Sequence, residues 1–223
     1  MTRIYAFLLP IACVSLFMTF TGCSPDDDDV ATPSGGGTPA PGIPAGDHVR
    51  FTLNGQESTY SVDGRYDIGA LGTSQEEGTV HQEAQGSVLL DQQVEPPMML
   101  YWTVLKEFHA PDWGFTPTPE EQYAMITQGA KVFGRGVEVV GLDDRRDGVV
   151  VSYIAPEGTM WTTDQGTGDQ TGSSFTIVSK EAVSHWMYQA RVLVTFSCKL
   201  YNGTGDVMTL TNASMRGPCI TRL

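Results

Sequence analysis

Val192-Leu193-Val194-Thr195-Phe196-Ser197-Cys198-Lys199-Leu200-Tyr201 alternates residue by residue, and this alternation decides the fold class. Side chains of a strand repeat every two residues. Val192, Val194, Phe196, Cys198 and Leu200 therefore share one face, and Leu193, Thr195, Ser197, Lys199 and Tyr201 the other. Asn202-Gly203-Thr204-Gly205-Asp206 has the composition of a turn, and Val207 to Met215 returns. With Thr204 at the centre, Cys198 is predicted opposite Leu210 and Leu200 opposite Met208, so apolar residues meet on one face.

The same pattern recurs upstream. His48 to Leu53 alternates with Val49, Phe51 and Leu53 on one face. Asn54-Gly55 follows, a two-residue hairpin signal because both positions tolerate positive φ. Gln56 to Val62 returns, with Ser58, Tyr60 and Val62 aligned, and Asp63-Gly64 turns the chain towards a third strand at Tyr66, Ile68 and Ala70. Gly72 to Gly86 reads as polar and turn-rich. Ser87 to Leu90, Met98 to Leu105, Val137 to Val140 and Val149 to Ile154 read as strands, the last two flanking a charged tip from Asp143 to Gly148. One short helix is expected near residues 119–128. Thr118 caps it, Pro119 takes the first position, Glu121 completes a capping box, and Gly129 ends it. The expected fold is all-β, an antiparallel β-sandwich or partly open barrel with that one helix.

The first 47 residues have a different character. Arg3 precedes an apolar run from Ile4 to Phe20, and Phe20-Thr21-Gly22-Cys23 ends it. The run is at the lower limit for spanning about 30 Å of hydrocarbon and contains Pro10, so a transmembrane anchor is the weaker alternative. Phe20 to Cys23 resembles the lipobox of bacterial lipoproteins. The resemblance implies residues 1–22 as a signal peptide and acylation of Cys23, with more than one chain so that the bilayer contact is stable. Ser24-Pro25-Asp26-Asp27-Asp28-Asp29 reads plainly as a solvated acidic spacer. It also resembles the export signal of surface lipoproteins in the Bacteroidota, carried by Ser24, Asp26, Asp27, Asp28 and Asp29. That implies an outer-membrane anchor facing the cell exterior, with the periplasmic face as alternative. Val30 to Asp47 is rich in Pro and Gly and reads as a linker, so residues 23–47 tether a domain at 48–223.

The domain carries a resemblance of its own. Phe51 to Gly55, Trp161-Thr162-Thr163 leading to Ser174-Phe175-Thr176-Ile177, and Phe196 to Asn202 followed by Leu210-Thr211-Asn212 are similar to small β-sandwich domains of Bacteroidota lipoproteins of unknown function. The pattern departs at Ala213, where Gly is expected. It implies fold and location, with no activity attached.

The formal net charge is −13 over 223 residues. Removing 1–22 takes away only Arg3 and makes the remainder more acidic, so nucleic acid is not an expected partner. Cys198 and Cys219 form a candidate disulfide in an oxidising compartment, provided the chain reverses at Gly217-Pro218. The alternative is a core thiol at Cys198 and a free tail thiol at Cys219. His48, His81, His109 and His185 show no metal-ligand spacing, and no metal or cofactor is expected. Asp164 and Asp169 around Gly166-Thr167-Gly168 hint at a calcium loop but lack the spacing and closing Glu of an EF-hand.

Glu76-Glu77 and Asp143-Asp144 read as exposed turn residues, and no nucleophile stands beside a base. A non-catalytic role is therefore expected, with a glycan-active hydrolase as the weakest alternative. Trp102, Trp113, Phe115 and Trp161 are candidate ligand-contact aromatics, alongside Tyr101, Phe108, His109 and Tyr123. The bland alternative is that Trp102 is core and that Trp113 and Phe115 pack the helix. The expected role is binding of a glycan or an outer-membrane protein partner. An assembly accessory without its own ligand is the second reading.

Overall fold

A computed structural model of the chain describes residues 46–61, 73–76, 79–91, 97–109, 118–136, 145–183 and 190–219. Contacts divide the chain between Pro39 and Ala40, and the described residues all belong to the second unit. They form eleven strands and one helix. The strands are β1 (His48–Leu53), β2 (Gln56–Ser61), β3 (Thr73–Glu76), β4 (Thr79–Asp91), β5 (Met98–His109), β6 (Gly129–Lys131), β7 (Gly148–Ile154), β8 (Met160–Thr162), β9 (Ser174–Ala182), β10 (Ala190–Tyr201) and β11 (Val207–Cys219). The helix α1 spans Pro119–Met125. The protein is all-β and antiparallel, as expected. No helix among the described residues is long and apolar enough to cross a membrane.

Among the described residues, hydrogen bonding follows the order β2-β1-β11-β10-β8-β7-β5-β4-β3; β2 and β3 end this order, and the sheet is not a closed barrel. β10 is the branch point. β9 pairs with it from Ala190 to Ser197, while β8 meets it only at Tyr201, opposite Thr162. Where these neighbours diverge, the sheet folds over itself. Strands that are not neighbours then share a core: Trp102 of β5 lies 5.9 Å from Phe175 of β9, and Phe51 of β1 lies 6.3 Å from Tyr153 of β7, between ring centroids. Phe175 also stacks on Phe196 at 5.3 Å. Full burial of an aromatic such as Phe175 contributes about 2–3 kcal/mol. The stretch after β6 ties the layers a second time, through bridges from Phe133 to Val149 and from Arg135 to Arg146.

The tail hairpin has the predicted register: Cys198 faces Leu210 and Leu200 faces Met208. The Asn54-Gly55 turn also forms, with φ of 47° and 84°. Beyond Leu210, β11 carries an extra residue at Asn212, marked by a register shift against both β1 and β10. Asn212 takes a φ of 52°, and its N–H donates to Ser197 Oγ at 3.1 Å. This bulge reverses the parity of the strand. Leu210 points inward before it; Ala213, Met215 and Cys219 point inward after it.

The structure corrects four expectations. The Cys198–Cys219 disulfide does not form, and both cysteines are buried as thiols. β11 makes no reversal at Gly217-Pro218: Gly217 lies opposite Val192 and Cys219 opposite Ala190. Cys198 is thus eight residues along β10 from the position facing Cys219, roughly 27 Å at strand rise. A disulfide requires Cα atoms within about 7 Å. Second, the polar stretch read as turns contains β3 and most of β4, which pairs with β5 from Thr79–His109 to Asp91–Met98. Main-chain pairing with a long neighbour made these strands where side-chain alternation gave no signal. Third, β5 runs past Leu105, where the strand was expected to end, and closes at Phe108 and His109.

Fourth, α1 stops at Met125 rather than Gln128. Ile126, with φ −87° and ψ 69°, turns into the core at 0% exposure, its N–H bonded to Tyr123 O at 3.3 Å. The capping box is present as predicted: Glu121 N donates to Thr118 Oγ1 at 3.2 Å, and Thr118 N to Glu121 Oε2 at 2.8 Å. The third strand expected at 66–70, the strand at 137–140 and the Asp143-Asp144 pair lie outside the described residues.

Candidate functional site

Lys180 of β9 reaches α1 at Tyr123. Lys180 Nζ sits 3.5 Å from the centroid of the Tyr123 ring and donates to Tyr123 O at 3.0 Å. Met125 and Ile126 anchor the end of the helix in the core. A cleft of ≈ 400 Å³ remains between α1 and β5. Val104, Leu105 and Phe108 of β5 form one wall, and Ala124 and Met125 of α1 the other. Thr127, Lys131, Asp147 and Gly148 close one end. The volume lies within the range of small-molecule sites, about 300–1,000 Å³.

Four charged side chains border this apolar space. Lys106 Nζ and Asp147 Oδ2 pair at 2.8 Å, and Asp147 Oδ1 accepts from Glu107 N at 2.8 Å. Glu121 serves the capping box. Lys131 donates to Thr127 Oγ1, and burial pushes its ammonium pKa down. Among the described residues no carboxylate lies within ion-pair distance of Lys131.

The candidate aromatics separate. Trp102 is 2% exposed and belongs to the core, so it does not serve as a surface contact. Trp161 is half-buried against the core, and its indole N–H is buried without a hydrogen-bond partner among the described residues. Tyr123 holds Lys180, and Phe108 lines the cleft. Trp113 and Phe115 lie outside the described residues, as do Cys23, Ser24, Asp26, Asp27, Asp28 and Asp29.

The acidic pair of the 164–169 loop divides between two tasks. Asp164 is buried; its Oδ1 accepts from Thr162 Oγ1 at 2.8 Å and its Oδ2 from Gly136 N at 3.2 Å. Ser152 Oγ donates in turn to Thr162 Oγ1 at 3.1 Å. Asp169 instead holds Lys199 Nζ at 2.7 Å and Thr171 N at 2.9 Å. The Lys199 ammonium and the Thr171 hydrogen bonds keep its carboxyl well below the usual carboxylate range. Among the described residues no three His, Cys, Asp or Glu side chains converge as a metal set.

His48, read from sequence as solitary, is buried and bonded to Ser214 Oγ at 2.8 Å across 166 positions. No local pattern could have announced that pair. The cleft was also missed. The capping box located α1 in the sequence, but its opposing wall comes from β5, β6 and β7, which only the folded sheet brings together.

The chain matches no protein-family model, no curated protein and no solved structure.

Proposed function

We propose that this chain is a non-catalytic lipoprotein, anchored by acylated Cys23 on the outer membrane and facing the exterior, whose all-β domain binds a ligand in the α1–β5 cleft. The observation that carries the binding role is the cleft's chemistry. Its walls are apolar, and its four bordering charges are engaged within the chain: Lys106 with Asp147, Glu121 in the cap, and Lys131 with Thr127. Such groups shape a pocket; they are not poised to exchange protons with a substrate.

The sequence reading named a glycan or a protein partner. Sugars are held by aromatic faces together with many polar contacts, and Phe108 is the single aromatic among the described lining residues. The cleft fits better a ligand that inserts an apolar group, presented by a small molecule or by a protein partner.

The test uses the chain from Ser24 onward, which retains the whole folded unit. Its melting temperature is measured against a panel of oligosaccharides and a panel of small apolar compounds. Stabilisation by apolar compounds, abolished by Ala124→Trp, is the expected result. Stabilisation by oligosaccharides alone, unaffected by Ala124→Trp, overturns the cleft as the site. The anchor is tested separately by metabolic labelling with an alkynyl fatty acid. Label is expected on the wild type and lost in Cys23→Ser; an unlabelled wild type rejects the lipoprotein reading.

A further inference from the structure

We propose that the α1–β5 cleft takes a small amphiphile, an apolar chain or ring bearing one carboxylate, with the carboxylate paired to Lys131. The inference rests on the cleft being the binding site and adds the chemistry of its ligand. Val104, Phe108, Ala124 and Met125 supply apolar contact, which stabilises a bound hydrocarbon by roughly 25 cal/mol per Å² removed from water.

The head group is set by the one lining cation without a counter-ion among the described residues. Lys106 and Asp147 neutralise each other at 2.8 Å, and Glu121 completes the helix cap. Lys131 has Thr127 Oγ1 as acceptor, yet an ammonium carries three donors. It is partly withdrawn from water without a counter-ion among the described residues, and Lys180 lies close enough to add like-charge repulsion. A partly desolvated cation without a counter-ion is unfavourable, and a charge-assisted hydrogen bond donated to an incoming carboxylate relieves it. A cationic amphiphile would instead meet Lys131 as a like charge. With a net charge of −13, the whole protein does not draw anions from a distance. Recognition therefore depends on contact within the cleft.

Calorimetric titration of the chain from Ser24 onward with decanoate and with decanol, at pH 7.5, tests this. Wild type is expected to bind decanoate about tenfold more tightly than decanol, equivalent to about 1.4 kcal/mol. Lys131→Met, which keeps much of the aliphatic stem, should remove that preference, so that the variant binds both probes alike. Ala124→Trp should abolish binding of both, with the circular dichroism of the folded protein retained in each variant. Equal affinity of wild type for both probes overturns the carboxylate assignment while the cleft stands as a binding site. Binding of neither probe, or binding that survives Ala124→Trp, overturns the carboxylate assignment and the cleft together.

Discussion

His48 is enclosed between a carbonyl and a hydroxyl, and that fixes its protonation. Gly46 O can only accept, so Nδ1 carries the proton of the 2.9 Å bond, and Nε2 accepts from Ser214 Oγ at 2.8 Å. Burial lowers the imidazole pKa below its ordinary 6.5, and Arg216 and Arg50 add to this; the Gly46 bond and Asp47 oppose it. The unfolded chain therefore takes up a proton at higher pH than the folded one. Stability contributed by neutral His48 is complete above pH 6.5 and is lost as the pH falls from there towards the lowered folded value. The slope is at most about 1.4 kcal/mol per pH unit for one proton. Thermal melts between pH 7.5 and 5 should show this loss, and His48→Gln should flatten the curve. An unchanged pH profile in the variant removes His48 as its cause. The two thiols give a second check. Burial raises Cys198 and Cys219 well above the usual thiol range, so neither should react with a thiol reagent in the folded protein. Both should react once denatured without reductant. A denatured chain with no titratable thiol from these two residues contradicts the straight course of β11.

At the scale of elements, the close crossing of the 132–136 stretch over the start of β7 depends on two glycines. Gly148 has φ 145°, and a Cβ there would lie 2.6 Å from both Gly134 N and Val132 O. A Cβ on Gly134 would lie 2.7 Å from Arg146 O. The backbones are this close because Gly134 N bonds Val149 O and Val149 N bonds Val132 O, both at 2.9 Å. Gly148→Ala should cost about 3 kcal/mol, combining an unfavourable φ with forced separation of the two backbones. At this chain length that lowers the melting temperature by roughly 6–12 °C. Gly205→Ala is the control, because Gly205 also has positive φ but open space around it. It should lose about 1 kcal/mol, from conformation alone. Equal losses for the two variants would show that the crossing is not what requires Gly148. The elements that sequence revealed are those whose signal is local. Alternation placed β1 and β10; the charged tip from Asp143 to Gly148 marked β7; turn residues set the 54–55 and 202–206 hairpins; Thr118 and Glu121 set the start of α1. Elements made by their neighbours stayed hidden. β4 owes its length to pairing with β5, and the parity of β11 changes at Asn212, a residue with no special mark in the sequence.

Over the whole molecule, the same contrast separates fold from site. An antiparallel all-β fold was legible because β1 and β10 carry the period of two and turn residues follow each of them, whereas the cleft walls at Val104, Ala124 and Lys131 come from strands and a helix whose meeting no local pattern encodes. The sheet also has two distinguishable ends. The chain enters β1 at His48, paired with Arg216, at the end of the sheet where Ala190 faces Cys219. The Asn54-Gly55 turn lies at the other end, where Asn54 N bonds Thr209 O at 3.0 Å beside the exposed 203–206 turn. If Cys23 holds the protein at the outer membrane with the domain outward, as proposed, the 203–206 turn is the part of the hairpin most remote from the point where the tether joins the sheet. A short epitope inserted between Gly203 and Thr204 replaces chiefly the turn contacts of Asn202 with Thr204 and Asp206. Insertion there should leave the β10–β11 register intact, because that register is fixed by the buried pairs Cys198–Leu210 and Phe196–Ala213. On intact cells the epitope should be stained by antibody and removed by added protease. If staining appears only after the outer membrane is permeabilised, while the inserted protein still carries its acyl label, the anchor holds the domain on the periplasmic face.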